Sequence, residues 1–221
     1  GRPQAGRRFD IDDDASLLKL MAISYALLYA FVVILMFGSE TSSHDRAVLL
    51  MGSGLLLFWV ILGGLIQRAK RDQIVGWMHR IRLDWRVRFV LLCTLMALLE
   101  EVVTTGMSNL GPVLGSSSAM ITASKNYLEV VLFNSVIVFI PMYICWALML
   151  ARWAFRPAEV MLLYGLSGWL AELVSFGPQN VLMVGMWVYV YGLMVWLPAH
   201  TIPADRPARP VRWWVWPVAV I

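Results

Sequence analysis

The chain has 221 residues, of which 60% are hydrophobic and only 14% charged, and its mean hydropathy is +0.70. A soluble domain carries about 25% charged residues, so a water-soluble enzyme is excluded and an integral membrane protein is expected. The net charge of +4 does not indicate a nucleic-acid surface, because the basic residues sit between apolar stretches, where they set membrane topology.

Residues 1–16 are polar, with Arg2, Arg7 and Arg8 followed by Asp10, Asp12, Asp13 and Asp14. They read as a solvated arm, with Asp14 or Ser16 capping the first helix. Six apolar helical spans then follow, at about 17–38, 47–66, 89–107, 127–150, 158–176 and 181–198. The first is too long for a cleaved signal peptide. No stretch outside the spans is long enough to bury a core of its own, so the expectation is one all-α domain over 17–198. On the second span, Gly52, Ser53, Gly54, Gly63 and Gly64 permit close helix approach.

Between the second and third spans, residues 67–88 carry seven Lys and Arg. Within them Ile74, Trp77, Met78, Ile81 and Trp85 recur at helical spacing, which predicts an interfacial amphipathic helix over about 72–86. Cys93 and Cys145 fall inside spans without CxxC spacing and read as small core hydrophobes. The stretch 108–126, rich in Gly, Ser and Pro, is the one long extramembrane loop and a candidate lid or binding element. Pro141 predicts a kink in the fourth span, freeing the carbonyl near Ile137. Pro157 suits the first turn of the fifth span, and Gly177-Pro178-Gln179-Asn180 forms the turn into the sixth. The tail over 199–221 is basic and then aromatic, and Trp213, Trp214 and Trp216 read as interfacial anchors.

With the N-terminus placed in the cytoplasm, the inner segments hold sixteen Lys and Arg, and the outer loops hold Arg46 and Lys125 alone. The positive-inside rule is then met at every loop. Both termini are expected in the cytoplasm, and the compartment is expected to be a bacterial cytoplasmic membrane. No internal repeat is visible between the two halves.

The third span is the unusual one, because Glu100 and Glu101 lie well inside its apolar run. A charge in hydrocarbon costs roughly 3 kcal/mol on insertion scales, so an intramembrane carboxylate is a functional-site candidate. At a rise of about 1.5 Å per residue, these two lie roughly 18–20 Å above Arg88. By the same rise Glu172 lies about 21 Å above Ala158, and Asn134 about 12 Å below Asn126. In a hydrocarbon core of about 30 Å, all four fall in one layer near the outer face. Thr104 and Thr105 stand one turn above Glu100 and Glu101, and Glu129 lies nearer still to the outer surface. The candidate ion- or ligand-binding set is therefore Glu100, Glu101, Thr104, Thr105, Glu129, Asn134 and Glu172. Small and aromatic stripes, Gly165 and Gly168 beside Glu172 and Gly185, Tyr189, Gly192 and Trp196 on the sixth span, read as packing faces.

Carboxylates this close in a low dielectric cannot all ionise. Such a cluster suits proton or cation movement, acid–base chemistry on a water, or a hydrogen-bonded fastening between helices. The sequence names no cofactor. A zinc site is not expected, because His44, His79 and His200 are scattered away from the layer. The Glu100-Glu101 pair resembles the paired glutamates of CAAX-processing intramembrane proteases. That family has an Arg where Thr105 stands here, and takes its His from later helices. The resemblance covers two residues and implies a glutamate-dependent hydrolase as one alternative. Another is a non-enzymatic subunit of a larger complex. Membrane lipids are the expected partners, with a homo-oligomer or a membrane complex as the assembled form.

Overall fold

The computed structural model describes residues 11–38 and 41–220, and over these the chain is helical, without a β-strand. From Ile11 the backbone is already in α1 (Ile11–Gly38). Asp14 and Ser16 thus lie within that helix instead of capping it, and the remainder of the expected arm, 1–10, lies outside the described residues. Next comes a single rod of 38 residues, Ser43–Arg80. It is built from α2 (Ser43–Leu55), a π-helical stretch (Leu56–Gly63) and α3 (Gly64–Arg80). Ser42 starts it by accepting a hydrogen bond from the Asp45 N–H at 3.1 Å, which satisfies one of the orphan donors of the first turn.

This rod corrects the separate interfacial helix expected over 72–86. The periodicity of Ile74, Trp77 and Met78 is helical, but nothing breaks the helix between Gly64 and Arg80, so these residues continue it. The break falls where Ile81 turns extended, at φ −73° and ψ 123°. Asp84 then caps α4 (Trp85–Asn109) by accepting from the Arg86 N–H at 2.8 Å.

Beyond the loop come α5 (Tyr127–Phe133), α6 (Val136–Arg152), α7 (Pro157–Phe176), a 3-10 turn (Pro178–Met183), α8 (Val184–Ala199) and α9 (Val215–Val220). Pro157 opens α7, and Glu159 accepts from the Arg156 N–H at 2.7 Å. Gly177 closes α7 at φ +96° and ψ 177°, a conformation open to glycine alone. The loop between α4 and α5 is tied down rather than loose. Ser108 Oγ accepts from the Ile121 N–H at 3.0 Å, and Asn109 Nδ2 donates to the Lys125 carbonyl at 2.9 Å. Ala119 is buried against Ala47 and Met51 of α2.

The α5–α6 pair is bent by 42° at the two residues joining them. Asn134 Nδ2 donates to the Glu129 carbonyl at 3.1 Å, and the Asn134 and Ser135 N–H groups share the Val130 carbonyl. Side chains that compete for backbone groups in this way interrupt a helix. Pro141 is the sixth residue of α6, past its first turn, so it supplies no N–H to the Ile137 carbonyl. The tail is also more ordered than its composition suggests. Arg209 bridges to Trp153, with the Ala154 N–H donating to the Arg209 carbonyl at 2.8 Å, and α9 packs on α7 through Val215 and Ala219.

Three stretches are long and apolar enough to cross a membrane: Ser43–Arg80, Pro157–Phe176 and Asn180–Ala199. The bent pair α5–α6 makes a fourth if it counts as one span. The chain is inside-out relative to a soluble protein. On α4 the outward face is Leu91, Leu95, Leu99 and Val102, 45–55% exposed, while its glutamates are buried. An apolar exterior of this extent needs lipid or protein against it.

The tightest packing is between α7 and α8. A Cβ on Gly165 would lie on the Val188 carbonyl, and one on Gly192 would come within 2.8 Å of the Met161 carbonyl. Backbone cannot yield as a flexible side chain does. Gly165→Ala is therefore expected to destabilise the protein by about 1–3 kcal/mol. Gly76→Ala, where nothing lies within 4 Å, is expected to be neutral or mildly stabilising. Thermal unfolding of both variants in detergent checks this, and equal melting temperatures would rule it out.

Candidate functional site: a buried carboxylate cluster

Helix α4 buries residues in adjacent pairs, 92/93, 96/97, 100/101 and 104/105, each pair four residues from the next. Because one turn is 3.6 residues, such pairs form a broad inward stripe. Both carboxylates are consequently inside, each 4% exposed. Being about 100° apart around the helix, they meet different neighbours.

Glu100 looks toward a tyrosine-rich core. Its Oε1 accepts from the Thr104 hydroxyl, which also reaches the Glu100 carbonyl at 3.1 Å. Tyr143 and Tyr191 lie close enough for the Glu100 charge to act on them. Tyr143 in turn stacks on Tyr164, with ring centroids 5.5 Å apart. Glu172, half-buried on α7, accepts a hydrogen bond from Tyr191 Oη on α8. It stands within electrostatic reach of both Glu100 and Glu101.

Glu101 looks toward the break between α5 and α6. The hydroxyls of Ser135 and Thr122 serve one side of its carboxyl. Its Oε2 is buried without a partner, and so is the Thr105 hydroxyl one turn above. Buried polar atoms almost always find a partner, and these two, on adjacent turns, have none.

Of the seven candidate residues, the structure brings five together: Glu100, Glu101, Thr104, Thr105 and Glu172. The other two stand apart. Asn134 is exposed and spends its amide on the Glu129 carbonyl, while Glu129 is exposed and accepts from Ser124 Oγ at 2.9 Å. Depth along a helix does not specify azimuth, and it is the next residue, Ser135, that faces the cluster. Ser135 was within reach of the depth argument. Thr122 and Tyr191 carried no signal in the sequence, since one lies in a loop and the other is an ordinary aromatic of an apolar span.

The histidines lie elsewhere. His44 is beside Ser116 and Ser118 of the loop, the His79 ring meets the Thr201 carbonyl at 3.0 Å, and His200 packs on Trp196. The histidine that a CAAX-type protease would supply is thus not beside the glutamate pair. Among the described residues no three His, Cys, Asp or Glu converge as ligands for a metal ion. Compared with known proteins, the chain matches no family model, no curated protein and no solved structure.

The two threonines give a direct check on this geometry. Thr104→Val removes a donor from a buried carboxyl and is expected to cost about 1–3 kcal/mol. Thr105→Val replaces an unpartnered hydroxyl with a methyl and is expected to leave stability unchanged or raised. Chemical unfolding of both variants reads the difference, and a reversed order would contradict the assignment.

Proposed function

We propose that this chain is a six-span protein of a bacterial cytoplasmic membrane that binds a small cation, sodium or a proton, beside Glu101. The observation that carries this reading is the pair of buried, unpartnered oxygens, Glu101 Oε2 and Thr105 Oγ1. With Ser135 and Thr122 they supply a carboxylate and three hydroxyls, the hard oxygen donors that a sodium ion or a hydronium prefers. The helix break at Asn134–Ser135 lies alongside. Interrupted membrane helices free backbone carbonyls, and in transporters these join carboxylates in cation sites. Glu100 and Glu172 place two more carboxyl groups within electrostatic reach of Glu101.

Two further helices join the membrane in this proposal. Helix α4, with 25 residues, extends about 37 Å and presents its Leu and Val face to lipid. Helix α1, with 28 residues, is longer still. The six spans then take the orientation that the Lys and Arg distribution favours, with both termini in the cytoplasm. Assembly as a homo-oligomer, or as one subunit of a larger membrane complex, belongs to the same proposal. The apolar exterior supports lipid or protein contact.

A second reading has its own support. The Thr104–Glu100 and Tyr191–Glu172 hydrogen bonds close two of the carboxylates within the bundle, as expected of a purely structural network that fastens helices.

Heat unfolding in sodium chloride against choline chloride separates the two. A ligand at about 100 times its Kd stabilises the folded state by about 2.7 kcal/mol. Sodium is expected to stabilise the native protein and the Glu100→Gln variant but not Glu101→Gln. Should sodium displace a proton, an unbuffered sample acidifies on its addition, and Glu101→Gln abolishes that release. Identical behaviour of all three proteins in both salts, without proton release, would leave the structural reading standing.

Orientation has its own check. In a background with Cys93 and Cys145 replaced by Ser, a cysteine at Ser117 is expected to react with an impermeant thiol reagent only from outside. One at Gln73 is expected to react only from inside. The reverse pattern would invert the topology.

A further inference from the structure

At the opposite end of the bundle from the carboxylates, a cavity of about 660 Å3 opens between α1, α3, α7, α8 and the segment after α8. That is the size range of small-ligand pockets. Its walls change character along their length. On the rod the lining runs from Val60 and Ile61 through Gly64 and Leu65 to Arg68 and Arg71, a rise of about 16 Å from apolar to cationic. Helix α8 runs the same way, from Leu193 through Trp196 to His200. Met161 of α7 adds to the apolar lining, and the basic part carries Lys19, Arg68, Arg71 and Arg206 against one carboxylate, Asp72.

These groups differ in how free they are. Arg206 is fixed by the Leu150, Pro203 and Trp153 carbonyls, at 2.8, 3.0 and 3.4 Å. Arg71 pairs with Asp72 at 2.9 Å. Arg68 has no ion-pair partner among the described residues. Burial, aided by the nearby Arg71 charge, pushes His200 down to about 4, so at neutral pH it is an uncharged ring in the basic part and the positive charge comes from the Lys and Arg side chains. The buried Nε2 of His200 has no partner.

From this gradient we propose that the cavity seats one anionic phospholipid, with its phosphate at Arg68, Arg71 and Lys19 and an acyl chain along the Val60–Leu65 and Leu193 walls. Charge complementarity selects the occupant. Arginines bind phosphate oxygens through paired, charge-assisted N–H donors, and basic pockets between membrane helices hold anionic headgroups. The apolar length behind the cations distinguishes a lipid from a free phosphate, which would leave that wall empty. The site is independent of the carboxylate cluster and stands whether or not a cation binds there.

Native mass spectrometry of the full chain, released from detergent and titrated with lipid, tests this. Phosphatidylglycerol is expected to remain as a single bound copy and to bind at least tenfold more tightly than phosphatidylcholine of the same chains. Glycerol phosphate is expected neither to bind nor to compete. Arg68→Gln with Arg71→Gln is expected to lose at least tenfold in phosphatidylglycerol affinity. Asp72→Asn, which releases Arg71, is expected to gain affinity. Gly64→Phe fills the apolar part while leaving every cation in place, and is expected to abolish retention. Equal binding of the two lipids, effective competition by glycerol phosphate, or a lipid-free dimer as the dominant species would each overturn the proposal. If the double arginine variant fails to fold, the two-lipid comparison and the Asp72 and Gly64 variants still decide it.

Discussion

The constraint on which the rest of this structure depends is the burial of Glu100 and Glu101, with half-buried Glu172 beside them, among apolar helices. Hydrocarbon supplies no water to solvate them, so each must be met by groups of the chain itself. Thr104 meets Glu100 from its own helix. Glu172 is met from α8 by Tyr191, and that bond requires the two helices to lie almost in contact. Gly168 makes room for it, because a Cβ there would lie on the Tyr191 ring. Gly165 and Gly192 remove the same obstacle on either side. The small residues of α7 and α8 are therefore part of how the carboxylate layer is held, as well as of how the helices pack.

Glu101 is met less completely, and the architecture around it differs accordingly. On the side where Glu100 sees continuous helices and stacked tyrosines, Glu101 sees a helix break and the hydroxyls of Ser135 and Thr122. The loop that brings Thr122 down is anchored by Ser108 and Asn109, the last residues of α4 itself. The helix that carries the carboxylate thus also positions the loop that covers it. This asymmetry between two adjacent glutamates is what the proposed cation site at Glu101 rests on.

The bundle is polarised along its length. Carboxyl groups collect at the level of Glu100, Glu101 and Glu172, whereas Lys19, Arg68, Arg71, Arg206 and Arg209 gather around the opposite end. The core that joins the two ends includes Trp59, Phe89, Tyr143, Leu150 and Met194, all buried. Trp59 donates its Nε1–H to the Val190 carbonyl at 2.9 Å, tying the π-helical part of the rod to α8 midway between the two ends. A cation site at one end and a lipid site at the other, as proposed, would share α8 and the rod as common walls.

Helical class, the apolar exterior and the buried glutamates were legible in the sequence, because hydropathy and helical rise are local properties that one strand of text carries. Gly165, Gly168 and Gly192 were legible as packing positions for the same reason, since absence of a side chain can only serve close approach. Continuity and azimuth were not. The rod runs through Arg80 because no residue stops it, even though its composition changes from apolar to basic at Gln67. The 42° bend between α5 and α6 falls at Asn134–Ser135, because side-chain competition for backbone groups depends on what lies one turn away. Asn134 and Glu129 are exposed and bonded elsewhere, turned away from the cluster. Which of Glu100 and Glu101 meets the tyrosines, that Ser135 and Thr122 join the site, and that Lys19, Arg68 and Arg206 line one cavity were decided only by tertiary packing. Those groups come from helices distant in sequence, and only the rotation of each helix about its own axis brings them together.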